Sequence, residues 1–341
     1  MLLVNNPNKA YVIAEVGQAH DGSLGAAHAY IELAKKIGAD AIKFQMHIAD
    51  VESGPEETWR VNFSYQDVTR YDYWKRMEFT MEQWREIAQH CETVGLEFVC
   101  SAFSQTAALE LKKLGMRIFK VASGETNNSL FLDLLNSIAE HIILSSGMSN
   151  YDEIEKALSY LSDANQRVSL LQCTTEYPVA LENIGLENLN AFSQLFDLAH
   201  LGLSDHSGTI APALLAYGKG ARVFENHICL HKSQFGPDTP ASLEPIEFEN
   251  LINQLRAFEI MNNSTYDKNE VDHSENKVRF GKSLSLKNDL QKGAKITFDD
   301  LETRKPAGFG INPEMYKSVL GKRLTADKRQ NEFLRDEDLT E

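Results

Sequence analysis

Over the first 225 residues, short apolar, β-branched runs alternate with longer segments whose apolar positions recur every three to four residues. The runs Tyr11 to Val16, Ala41 to Met46, Leu96 to Cys100, Arg117 to Val121, Ile142 to Ser145, Val168 to Gln172, Ala199 to Leu203 and Arg222 to Glu225 read as eight strands. Runs this short and this uniformly apolar suit strands covered on both faces. Between them Leu24 to Ile37, Met81 to Val94 and Tyr151 to Leu161 carry the helical period, with Thr80 and Gln83 spaced as a capping box. Eight strand–helix alternations over about 250 residues predict a closed (β/α)8 TIM barrel; a doubly wound open sheet is the structural alternative. The barrel is expected to occupy residues 1–262, followed by a polar, aliphatic-poor linker at 263–277 and a small domain at 278–341.

The polar residues that interrupt the apolar pattern fall at one place in each repeat. Glu15, Lys43 with Gln45, Ser101, Lys120 with Ser123 and Glu125, Ser145, Thr174 with Thr175, Ser204 with Asp205 and His206, and Glu225 with His227 all stand at or just beyond the C-terminal end of a strand. In a barrel those ends converge on one mouth, where barrel enzymes carry their chemistry. Two lysines among four serines, Ser101, Ser123, Ser145 and Ser204, form a donor set suited to a phosphate dianion. Either lysine could instead form a Schiff base with a carbonyl. His206 and His227 follow neighbouring strands and could share one ion, with Asp238 and Glu15 as further ligands and Asp205 and Glu225 orienting the rings or acting as bases. Such an oxygen-rich, open set suits Mn²⁺ or Mg²⁺. The other eight histidines read as surface or packing residues. The aromatic stretch Trp59 to Arg76 is too long for an ordinary loop and reads as a lid or substrate wall.

Composition narrows the class. The chain has 341 residues, 43% of them hydrophobic, enough for a large core, and a net charge of -15 that argues against nucleic-acid binding. From Lys277 onward there are 14 Lys and Arg against 11 Asp and Glu, so a basic module follows an acidic one. No run approaches the roughly 18 apolar residues of a membrane span, and the first residues lack a secretory leader. A cytoplasmic protein is expected. Cys91, Cys100, Cys173 and Cys229 are widely spaced and read as reduced core thiols.

The motifs resemble those of the sialic acid (N-acetylneuraminate) synthase family. The resemblance rests on Ile13-Ala14-Glu15-Val16-Gly17 with His20-Asp21-Gly22, Lys43-Phe44-Gln45, Lys120-Val121-Ala122-Ser123-Gly124-Glu125, Ser145-Ser146-Gly147-Met148, Thr174-Thr175-Glu176-Tyr177-Pro178, Ser204-Asp205-His206 and Gly236-Pro237-Asp238. They follow one another over essentially the whole chain, and residues 278–341 look like the antifreeze-protein-like (SAF) domain of that family. The resemblance implies condensation of phosphoenolpyruvate with an open-chain N-acyl hexosamine such as N-acetylmannosamine, giving a nine-carbon 2-keto acid and phosphate. It implies that Ser101, Lys120, Ser123, Ser145, Thr175 and Ser204 hold phosphoenolpyruvate, and that His206 and His227 bind a divalent cation, Mn²⁺ first, with Mg²⁺ or Co²⁺ as alternatives. Glu15, Lys43 and Glu225 would be catalytic. Gln45, Glu125, Tyr177 and Asp238 would bind the sugar, together with Lys305, which stands where the family carries arginine, reaching the mouth from the partner in a domain-swapped homodimer. Alternative readings are a legionaminic or pseudaminic acid synthase using a diacetamido hexose, another phosphoenolpyruvate-dependent sugar-acid synthase, or a non-catalytic sugar-binding protein.

Overall fold

A computed structural model describes residues 8–54 and 56–341. Eight parallel strands, β1 (Tyr11–Gly17), β2 (Ala41–Met46), β3 (Glu97–Ala102), β4 (Ile118–Val121), β5 (His141–Ser145), β6 (Val168–Cys173), β7 (His200–Asp205) and β8 (Val223–His227), close in sequence order into one barrel. β8 returns to β1, with Tyr11 opposite Val223 and Glu15 opposite His227. The open-sheet alternative is thereby excluded.

The barrel interior shows how the sequence places its chemistry. Tyr11, Ile13, Ala41, Val99, Ile118, Ile143, Leu171 and Val223 pack together as an apolar plug inside the strands. Because side chains alternate across a strand, the residue two positions further on faces the same interior. Those residues are Glu15, Lys43, Ser101, Lys120, Ser145, Cys173 and Glu225. A dry apolar layer therefore supports a charged one directly above it. The strands' other faces pack against the surrounding helices in the larger core, built around residues such as Phe44, Phe119, Phe131, Phe192, Phe224 and Phe248.

The helix at Met81–Val94 begins as its sequence dictates: Gln83 N donates to the Thr80 hydroxyl, Gln83 Oε1 accepts from Thr80 N, and Gly95 ends the helix in the left-handed conformation. The helix expected to reach Leu161 stops at Leu158. All four cysteines are buried and free. Among the described residues no helix is long and apolar enough to cross a membrane.

The chain divides into two compact units, 1–264 and 265–341. The second has its own small core of Leu284, Leu286, Ile296, Ile311, Val319, Leu324 and Leu334, with β9 (Ser283–Leu286) antiparallel to β10 (Leu301–Arg304) and β11 (Arg323–Leu324) to β12 (Leu339–Thr340). The stretch expected to be a linker is helical at its end. Asp272 accepts from the backbone and hydroxyl of Ser274, and a helix runs from there to Phe280.

Candidate active site

At the mouth the charged layer forms one continuous network. Lys43 Nζ lies 2.9 Å from Glu15 Oε1 and 3.6 Å from Glu225 Oε1, and Lys120 Nζ lies 3.6 Å from that same Glu225 oxygen. Lys43 donates to Ser101 Oγ at 3.1 Å, Lys120 to Ser145 Oγ at 2.6 Å, and Ser204 Oγ to Glu225 Oε1 at 3.2 Å. All seven residues are buried. Burial strips water from every charge here, so each depends on its neighbours. Burial alone would depress Lys43, but Glu15 and Glu225 outweigh it and hold the ammonium above its ordinary value. Lys120 is shifted down, by burial first and by repulsion from Lys43, against the pull of Glu225. The two ammonium groups in turn keep Glu225 ionised, its carboxyl held down near 2 despite burial. Glu15 Oε2 and Glu225 Oε2 are buried without a hydrogen-bond partner, and an unpaired buried carboxylate oxygen is costly unless a ligand or water completes it.

Beside this network the ends of β4, β5 and β6 form a tight cradle. Gly147 N donates to Ser123 Oγ at 3.2 Å. A Cβ at Gly147 would sit 2.5 Å from both Ser123 Oγ and Thr175 Oγ1, and 3.0 Å from Cys173 Sγ, so only glycine fits there.

His206 and His227 are brought together as the sequence suggests, with ring centroids 5.4 Å apart and the Tyr177 ring stacked on His206 at 4.0 Å. The ring of His206 is oriented differently from the expectation. Its Nδ1 lies 2.8 Å from the Thr174 carbonyl and so carries the proton, whereas Asp205 accepts from Ser207 N, Ser207 Oγ and Asn226 Nδ2 and is taken up by its own turn. Glu225 likewise pairs with the lysines and not with an imidazole. Burial pushes His206 down to about 3, leaving a neutral ring with a free Nε2 lone pair, the state a metal ligand needs. The pair thus fits a cation that takes two nitrogens and leaves its other positions to oxygen donors. Among the described residues no third His, Cys, Asp or Glu completes a metal-binding cluster. Glu15 is engaged by Lys43 and Gln45, and Asp238 by Arg60. Gly17 packs beside His227, where a Cβ would make ordinary contact at 3.5 Å from His227 Nδ1 and 3.6 Å from Asp238 Oδ2; its left-handed backbone, φ +53°, is what favours glycine.

A cavity of about 410 Å³ opens beside the cradle, lined by Gln45, Ser123, Glu125, Thr175, Tyr177 and Asp238 from the strand ends. Much of its remaining wall comes from the segment expected to be a lid or substrate wall, which supplies Trp59, Arg60, Phe63, Arg70, Tyr73 and Trp74 and includes a helix at Arg70–Met77. Arg60 is a participant the sequence reading missed. Its Nη2 lies 2.7 Å from Asp238 Oδ1 and its guanidinium stands 4.4 Å over the Tyr177 ring. His47, one of the histidines read as surface or packing residues, also lines the cavity; its place two residues beyond Gln45 on the same strand face was the available signal. Lys305 belongs to the second unit, where its Nζ lies 5.4 Å from the Phe280 ring centroid.

A closed (β/α)8 barrel with a buried ammonium–carboxylate floor, a glycine-gated hydroxyl cradle and a two-imidazole corner defines a barrel enzyme built for anionic, oxygen-rich substrates. The chain belongs to the NeuB family, whose sequence model matches residues 30–267. It is 33% identical over 334 residues to N,N'-diacetyllegionaminic acid synthase of Campylobacter jejuni, covering 96% of this chain and 99% of that protein. It is 30% identical to the human N-acetylneuraminate-9-phosphate synthase, over 98% of this chain and 94% of the relative. A crystal structure of the N-acetylneuraminic acid (sialic acid) synthetase from Leptospira borgpetersenii in complex with citrate superposes with a TM-score of 0.69 at 26% identity, covering 79% of this chain and 90% of the other.

Proposed function

We propose that this protein condenses phosphoenolpyruvate with an open-chain N-acyl hexosamine to give a nine-carbon 2-keto acid and inorganic phosphate. The observation that carries the reading is the buried floor, where two ammonium groups, three serine hydroxyls and two carboxylates are joined by hydrogen bonds and ion pairs of 3.6 Å or less. Phosphoenolpyruvate needs both kinds of group at once, donors for its phosphate and carboxylate and a carboxylate to activate water.

In this reading Lys120, Ser145, Ser123 and Thr175, with Ser101 and Ser204 alongside, hold the two anionic groups of phosphoenolpyruvate by charge-assisted hydrogen bonds. Lys43, kept protonated by Glu15 and Glu225, donates to the aldehyde oxygen of the sugar as the enol C3 attacks the aldehyde carbon. Glu15 and Glu225 orient the water that adds at C2 and accept its proton; the tetrahedral centre then loses phosphate and collapses to the ketone. His206 and His227 would hold a divalent cation, Mn²⁺ first and Mg²⁺ or Co²⁺ as alternatives, which when bound supplies a Lewis acid for the aldehyde. Gln45, Glu125, Tyr177 and Asp238 line the space for the acceptor. A Schiff-base role for Lys43 does not suit an amine held charged between two carboxylates.

The acceptor is N-acetylmannosamine or a diacetamido hexose leading to legionaminic or pseudaminic acid. The aromatic wall of Trp59, Phe63, Tyr73, Trp74 and Phe103 favours a sugar bearing methyl groups, and both arginines of the wall are already paired, Arg60 with Asp238 and Arg70 with Glu57, which disfavours a phosphorylated one. The second unit is assigned as a SAF domain that in a domain-swapped homodimer presents Lys305 to the partner's acceptor, and the enzyme is assigned to the cytoplasm. Phosphate release from phosphoenolpyruvate with Mn²⁺, measured across these acceptors with chelator and borohydride arms, tests the reading. Metal-dependent release with one acceptor, insensitive to borohydride, is expected; no release with any acceptor, or inactivation by borohydride, overturns it.

A further inference from the structure

One buried group at the cavity has no part in that reaction. His47 leaves the end of β2 on the same face as Lys43 and Gln45, four and two residues behind it. Its ring is sandwiched between Trp74, at 3.9 Å and 16° between planes, and Phe103, at 4.3 Å and 13°. Both of its nitrogens are engaged: Nδ1 lies 2.5 Å from Glu52 Oε1 and Nε2 lies 3.2 Å from Gln45 Oε1. Glu52 is held in turn, its other oxygen accepting from Ile48 N at 3.2 Å.

Hydrogen-bond chemistry fixes the direction of this chain. Gln45 Nε2 lies 2.7 Å from the carboxylate oxygen Glu15 Oε1, which accepts, so the amide nitrogen must face Glu15. Gln45 Oε1 then faces His47 and accepts as well, receiving also from Gln18 Nε2 at 3.3 Å. The proton of the 3.2 Å contact therefore sits on His47 Nε2, and the 2.5 Å contact requires a second proton, shared between Nδ1 and Glu52 Oε1, so that the pair is bonded as well. A flipped Gln45 amide would set its oxygen against Glu15 and its NH₂ against Gln18 and His47.

We infer that His47, locked by Glu52 and by the two aromatic rings, is a positioning residue: it holds the Gln45 amide in the one orientation that donates to Glu15, and through Glu15 sets the place of the Lys43 ammonium. The sequence Glu52, His47, Gln45, Glu15, Lys43, Ser101 joins the cavity wall to the catalytic floor by direct contacts. One clamping ring, Trp74, comes from the Arg70–Met77 helix of the insertion, so the wall fixes a residue of the barrel interior. The inference rests on the synthase reading for its kinetic consequence and on geometry alone for its proton placement.

The test has two arms. In the kinetic arm, His47→Ala should lower kcat about tenfold to hundredfold, the usual scale for losing an orienting partner, with KM for phosphoenolpyruvate unchanged. His47→Gln, which keeps an N–H donor for Gln45, should recover most of the loss. A His47→Ala enzyme with wild-type kcat, or a His47→Gln enzyme no better than the alanine variant, overturns the inference. In the second arm a long-range proton–nitrogen NMR correlation on the unliganded wild-type protein should show a proton on His47 Nε2, and an unprotonated Nε2 overturns the inference. Absence of phosphate release by the wild type would count against the synthase reading, while the NMR arm would still decide His47.

Discussion

The two sides of the mouth are built on opposite plans. On the floor, Glu15, Lys43, Lys120 and Glu225 have side chains no more than 5% exposed, rise from the strands themselves and hold one another in place. On the wall, Arg60 is 38% exposed and Asp238 21%, and most contacts come from a long insertion between β2 and the Met81–Val94 helix. The floor can be changed only at the cost of the fold beneath it, whereas the wall can vary while the barrel stays intact. Relatives named for different sugar acids share this chain's length almost end to end, as expected if the reaction resides in the floor and the choice of acceptor in the wall.

That division can be broken in graded steps. The largest effect is expected where the two sides meet: His206→Ala or His227→Ala should abolish metal-dependent turnover while leaving the far-ultraviolet circular dichroism unchanged, and should remove the Mn²⁺ binding seen by electron paramagnetic resonance. Full activity of either variant in chelator-treated samples would sink the cation's role. Next comes Glu225→Gln, which leaves two buried ammonium groups without their shared counter-ion. Turnover should fall about 10²- to 10⁴-fold and stability by about 3–5 kcal/mol, read by phosphate release and thermal unfolding. Because the folded Glu225 carboxyl is held near 2, below its value of about 4.3 in an unfolded chain, its stabilisation is complete above that unfolded value and drains away as pH falls toward 2. Acid titration of the wild type should show this loss, and the glutamine variant should lack it.

Smaller effects should separate binding from turnover. Lys120→Met should weaken phosphoenolpyruvate about tenfold to hundredfold, the worth of hydrogen bonds from a charged donor. Since Lys120 is depressed in the free site, a bound anion should push it back up. Calorimetry at alkaline pH in buffers of different ionisation enthalpy should detect proton uptake on binding in the wild type and none in Lys120→Met. The smallest effect belongs to the wall. Arg60→Ala removes a partly exposed ion pair and a ring contact of about 0.5–2 kcal/mol, so KM for the acceptor should rise about tenfold or less, with KM for phosphoenolpyruvate unmoved. A change in the latter would mean that wall and floor are not separable.

The floor was legible in the sequence because strand alternation is a local rule. Once Ile13, Ala41, Val99, Ile118 and Val223 are interior, Glu15, Lys43, Ser101, Lys120 and Glu225 must be as well. The strand ends were harder: β3 runs on to Ala102 and β8 to His227, because hydrogen bonds to neighbouring strands continue where the apolar pattern has already stopped. The wall was legible only as an insertion of unusual length. Nothing local to Arg60 foretells Asp238, 178 residues away, and a lone histidine gives no sign that Trp74 and Phe103 will close on both its faces. Asp205 misled for the same reason in reverse, since a carboxylate beside a histidine in sequence was claimed by its own turn.

The floor also has an electrical consequence. Two ammonium groups facing two carboxylates leave it neutral before anything binds, so an arriving phosphorylated enol acid finds no spare positive charge there. Its counter-charge has to be recruited with it, and a cation at the imidazole corner would supply it. Anion and counter-charge must then strengthen each other's binding by the same factor, and titrating either one against a fixed amount of the other should reveal a single shared coupling.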